Sequence, residues 1–131
     1  MKLWVDDIRP APDKSWTVVR TVTSAINALY HFSSEISEIS LDHDISHYEN
    51  LDETDVDQKT YACAETFLPV AIAIGLIRNQ GMYLIWGVKW EPKVTIHSSN
   101  PDGGENMQGI LAEYGIEAEL KPMGLWQEKE A

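Results

Sequence analysis

The chain has 131 residues, 44% hydrophobic and 24% charged, which suits one folded domain and excludes wholesale disorder. Ten Lys and Arg stand against 21 Asp and Glu, a net charge of −11. That balance excludes long nucleic acid and anionic lipid as ordinary partners, because both require clustered positive charge. Cys63 is the only cysteine, so neither an internal disulfide nor a cysteine zinc site is available. Asp6 and Asp7 come too early for a secretory signal. The longest apolar stretch, residues 67–77, is too short to span a bilayer. A cytoplasmic protein is expected.

The predicted elements alternate in type. Leu3-Trp4-Val5 is an apolar run that stops at two aspartates, the pattern of a buried strand. Trp16 to Val19 is a second such run, rich in β-branched residues. Thr23 or Ser24 can cap a helix in which Ile26, Leu29 and Tyr30 fall at i, i+3 and i+4. Glu38 to Leu41 leads into Asp42 as a third strand. Between residues 42 and 57, seven of 16 positions are acidic and none is Lys or Arg, which reads as a solvated loop. Tyr61 to Gln80 reads as an apolar helix, with Pro69 forcing a kink or a late start. Gly81 to Glu91 reads as an extra strand or a packed loop.

Lys93 to Ile96 is a further buried strand. Asn100-Pro101 is a helix start, with Asn as N-cap and Pro at the first helical position. Met107, Ile110, Leu111 and Tyr114 form an apolar stripe, and Gly115 is a natural C-cap. Ala118 and Leu120 alternate with Glu117, Glu119 and Lys121, as in an edge strand with one wet face. Residues 1–124 are expected to form the domain and 125–131 a polar tail. The alternation implies a three-layer α/β fold with a mostly parallel sheet. Ligands of such sheets bind beyond the carboxyl ends of the strands.

Those ends carry the chemistry. The first strand ends in Asp6-Asp7, with Arg9 close behind. The third ends in Asp42-His43-Asp44, the fourth in His97-Ser98-Ser99-Asn100, and the fifth in Lys121-Pro122. Carboxylates gathered at one edge raise each other's pKa unless a counter-charge is present. A divalent cation answers that need, and carboxylate oxygens with retained waters suit Mg²⁺ or Mn²⁺. The expected metal ligands are Asp6, Asp7, Asp42 and Asp44, although Asp44 can equally cap a turn. An unperturbed imidazole titrates in the range needed for proton transfer at neutral pH, which makes His43 and His97 candidates for that role. Arg9 suits a bidentate phosphate contact. Ser98 has no adjacent base to activate it as a nucleophile and is read as a hydrogen-bond donor to phosphate. Asn100 sits at a helix N-terminus, which also offers N–H groups to an anion.

The segments Leu3-Trp4-Val5-Asp6-Asp7-Ile8-Arg9-Pro10, Ile39-Ser40-Leu41-Asp42-His43-Asp44 and His97-Ser98-Ser99-Asn100-Pro101, with Trp16, Val19 to Val22, Gly104, Glu105 and Met107, resemble the receiver domains of two-component signalling. Within these the chain is most similar to the cyclic-phosphate processing receiver domains. The resemblance covers about half the chain, residues 3–47 and 92–115. It implies a flavodoxin-like fold whose five-stranded sheet has the order 2-1-3-4-5, so that Asp6, Asp7 and Asp42 share a pocket with Ser98 beside them. It also implies a phosphate-facing Lys121 and a ligand that is a cyclic phosphate on a nucleotide or RNA end. Residues 60–92 are longer and more apolar than this pattern, so an insertion around residues 81–92 is expected.

Three functions follow as expectations. The first is metal-assisted hydrolysis of a cyclic phosphate, with Asp42, His43, His97 and Lys121 as catalytic residues. Arg9, Ser98, Asn100 and Lys121 would bind the phosphate. A histidine pair acting without metal is a variant. The second is a receiver-like switch phosphorylated on Asp42. The third is an acidic interaction module, docking a protein partner or another copy through residues 42–57 or 81–92.

Overall fold

The computed structural model describes residues 1–44, 66–80, 90–98 and 100–121. Among the described residues there are five strands and three helices. The strands are β1 (Lys2–Val5), β2 (Trp16–Val19), β3 (Glu38–Leu41), β4 (Lys93–Ile96) and β5 (Ala118–Leu120). The helices are α1 (Val22–Phe32), α2 (Leu68–Gln80) and α3 (Pro101–Glu113), and a 3₁₀ turn covers Ser33–Glu35. All strand pairs are parallel, in the order β2-β1-β3-β4-β5. This is the expected flavodoxin-like sheet. Most of the acidic segment (45–57), residues 81–89 of the insertion expected at 81–92, residues 61–65 of the apolar helix and the polar tail lie outside the described residues.

Register explains the core. Leu3, Ile39 and Val94 form one row across the sheet, and Val5, Leu41 and Ile96 form another. Alternation sends both rows to the same face. There they join Ala25 and Leu29 of α1, Ile74 and Ile77 of α2, and Met107 and Leu111 of α3 in a single buried cluster. The intervening row, Trp4, Ser40 and Thr95, points the other way. Trp4 and Trp16 form a separate buried pair on that side, meeting edge to face at 5.5 Å. Among the described residues no helix packs on that face. Even the crossover from β1 to β2, residues 6–15, contains none.

Local chemistry sets the helix ends. The cap of α1 is Thr21, not Thr23 or Ser24. Its side chain accepts the Ser24 backbone N–H while the Ser24 hydroxyl answers the Thr21 N–H, a reciprocal capping box. The buried positions of α1 are accordingly Ala25 and Leu29, and Tyr30 is 60% exposed. Pro69 gives the late start: it falls in the first turn of α2, where no N–H is missed. Asn100 caps α3, with Pro101 at its first position. Gly115 ends α3 at φ 81°. The Ile116 N–H bonds to Leu111 O and the Gly115 N–H to Ala112 O, a Schellman closure. Of the expected apolar edge positions on β5, Ala118 is buried but Leu120 is 38% exposed. No described helix is long and apolar enough to cross a membrane.

Candidate functional site

The parallel sheet aims its strand ends at one edge, and three acids meet there. Ligand atoms of Asp6, Asp7 and Asp42 all lie within 4.8 Å of one another. Among the described residues no other group of three such side chains converges. Asp6 and Asp42 are buried and Asp7 is half-buried. Arg9 reaches the cluster from the β1–β2 connection, with its guanidinium 3.8 Å from Asp42 Oδ1.

Asp6 is the most constrained of the three. Its Oδ1 accepts the backbone N–H groups of Ile8 and Arg9, both at 2.9 Å. Its Oδ2 meets His97 Nε2 at 2.9 Å. Burial alone would raise its pKa, but the His97 bond and the Arg9 and Ile8 amides outweigh that and hold it below the usual carboxylate value. Burial pushes His97 below the ordinary imidazole range, against the pull of Asp6. The pair is therefore an anionic Asp6 and a neutral His97.

Asp42 behaves in the opposite way. Burial, and then the charge of Asp6, push it up to about 7, despite the His43 N–H on its Oδ1 and the nearby Arg9. Its neighbours supply too much negative charge for all three acids to ionise freely. A divalent cation would relieve that excess. Oδ2 of Asp6 accepts only one bond among those described, and a carboxylate offers about four lone-pair sites. The three acids therefore fit Mg²⁺ or Mn²⁺ chemically.

A second cluster gathers over the start of α3. His43 Nδ1 lies 2.8 Å from Asp44 Oδ1, and Asn100 Nδ2 donates to the same oxygen at 3.3 Å. Asn100 Oδ1 accepts the Gly103 N–H, and Ser98 Oγ accepts the Asn100 N–H. Asp44 thus turns toward His43 and Asn100 and stands outside the three-acid cluster. The His43 ring sits where a Cβ on residue 103 would lie. The Lys121 N–H bonds to Ile96 O at 2.8 Å, which brings Lys121 to the same sheet edge beside His97.

This arrangement, with acids after β1 and β3 on a 2-1-3-4-5 sheet and a polar segment after β4, agrees with one family model. The model of the cyclic-phosphate processing receiver domain matches residues 1–113. The chain belongs to this family. No curated protein and no solved structure matches it. Beside its acidic edge, this cyclic-phosphate processing receiver domain carries features that local sequence reading missed. Arg20 Nη1 donates to both Asp6 O and Arg9 O, at 3.1 and 2.7 Å. Trp4 Nε1 also donates to Arg9 O. Ser40 and Thr95 lie beneath His97. Only strand register brings Ser40 and Thr95 together, so no local motif signals them.

Proposed function

We propose that this chain hydrolyses a cyclic phosphate, on a nucleotide or an RNA end, with a divalent cation held by Asp6, Asp7 and Asp42. The observation that carries this reading is the convergence of those three carboxylates at the sheet edge, with ligand atoms within 4.8 Å. A bound Mg²⁺ or Mn²⁺ would polarise the phosphoryl oxygen and lower the pKa of a nearby water. Opening the ring adds water to phosphorus, breaks one P–O ester bond and returns a proton to the leaving oxygen.

The chain's own groups suit those tasks. Arg9 offers a fork to the phosphate oxygens. The N-terminus of α3 and Lys121 add positive potential at the same edge. His43, oriented by Asp44, is the imidazole able to carry the proton. A receiver-like switch is less favoured, because an aspartyl phosphate needs no histidine, whereas His43 and His97 both stand beside these acids.

The test is incubation of the full chain with nucleoside 2′,3′-cyclic phosphates, with and without Mg²⁺ or Mn²⁺, beside Asp42→Asn. Turnover that needs both the cation and Asp42 supports the proposal. Absence of turnover together with stable labelling of Asp42 by a small phosphodonor supports the switch. Absence of turnover and of calorimetric Mn²⁺ binding overturns the enzyme reading and leaves the acidic interaction module.

A further inference from the structure

Both ring nitrogens of His97 are engaged. Nε2 faces Asp6 Oδ2 at 2.9 Å, and Nδ1 faces Ser40 Oγ at 2.7 Å. Thr95 Oγ1 donates to Ser40 Oγ at 2.9 Å. Ser40 Oγ accepts from Thr95, so its own hydroxyl proton is left to point at Nδ1, which accepts it. The ring proton then sits on Nε2, facing the Asp6 carboxylate. The bonds run one way, from Thr95 through Ser40 and His97 to Asp6. Trp4 closes one face of the imidazole, stacked at 3.8 Å with planes 7° apart.

Ser, His and Asp in series suggest a nucleophile. Burial excludes that, because Ser40 and His97 are fully buried and Thr95 is 1% exposed. A fully buried Ser40 hydroxyl is closed to substrate. What the series controls is Asp6.

We infer that His97 is a positioning residue, set by the Thr95–Ser40 hydroxyl chain in its Nε2–H tautomer, which holds the Asp6 carboxylate in one orientation at the cation pocket. The statement about the pocket rests on the proposed function above, whereas the tautomer and its hydroxyl chain do not. Outer partners of this kind fix ligand orientation and basicity.

The experiment uses the full chain at neutral pH and has two arms. Long-range ¹H–¹⁵N NMR reads the His97 ring. Nδ1 is expected to be unprotonated in the wild type, and its resonance is expected to move in Thr95→Val and Ser40→Ala. A ring protonated at Nδ1, or a resonance indifferent to both variants, overturns the relay. Calorimetry with Mn²⁺ reads the pocket. His97→Ala is expected to weaken binding about 10- to 100-fold. His97→Gln is expected to keep most of the affinity, because its amide donates to Asp6 and accepts from Ser40. Equal loss in the two variants overturns the positioning role. Thr95→Val keeps the side-chain shape and, if His97→Ala does not fold, carries the same comparison through a smaller loss of affinity. A wild-type chain that binds no Mn²⁺ sinks the cation reading, and the imidazole spectrum then decides the relay alone.

Discussion

The indole of Trp4 lies flat on the imidazole of His97, with ring centroids 3.8 Å apart. The same indole donates its Nε1–H to Arg9 O and meets Trp16 edge-on. One side chain therefore fills the face without a described helix, shields His97 and anchors the turn that carries Arg9. Trp4→Ala should destabilise the protein by about 3–5 kcal/mol, the usual range for a buried aromatic. Urea unfolding followed by circular dichroism checks this. A loss below about 1 kcal/mol would contradict the packing described.

The raised pKa of Asp42 has a definite sign in stability. Unfolded, the group titrates near 3.8; folded, near 7. Between those values the native chain binds more protons than the unfolded one, so this group's contribution falls as pH rises. The loss is complete above about 7. Asp42→Asn should therefore raise the melting temperature at pH 8, and the gain should shrink toward pH 4. His97 acts in the opposite direction: its lowered pKa costs stability as pH falls below 6.5. The variant, freed of the Asp42 effect, should show a monotonic rise in stability from acid to neutral pH. A gain that is the same at pH 4.5 and pH 8 would contradict the assignment.

Two glycines of α3 should respond with opposite signs. A Cβ at Gly103 would overlap the His43 ring, whereas at Gly109 it meets nothing within 4 Å. Gly109→Ala should stabilise by about 0.5–1 kcal/mol through the unfolded chain. Gly103→Ala should destabilise and displace His43, visible as a shifted imidazole resonance. Thermal melts of the two variants give the comparison directly.

Much of this fold is legible in the sequence because parallel strands buried on both faces are written as unbroken apolar runs. Lys2–Val5, Glu38–Leu41 and Lys93–Ile96 stand in the structure where their patterns place them, and so does the edge strand Trp16–Val19, although its Thr17 and Val18 are exposed. The cap of α1 was harder to read. Thr23 and Ser24 are competent caps, but Thr21 takes the position because Ser24, three residues on, closes a reciprocal capping box with it. The acids after β1 and β3 are visible as strand-end punctuation. Their partners are not. Ser40 and Thr95 look like ordinary strand residues until register sets them side by side, and Arg20 looks like a surface cation until it spans two carbonyls of the turn.

The helix-free crossover between β1 and β2 has a dynamic consequence. β2 is an edge strand with a single neighbour, and residues 6–15 tie it to β1 through irregular backbone. Asp42 and His97, by contrast, follow the two strands that carry the sheet's centre and far side. In native-state hydrogen exchange, β2 and this crossover should open as one cooperative unit at lower free energy than β3 and β4. Uniform protection across β2, β3 and β4 would contradict this. In such an opening Asp6, Asp7 and Arg9 leave together while Asp42 stays seated behind β3. The pocket is thus built from one labile half and one firm half, so it can come apart and reform without global unfolding.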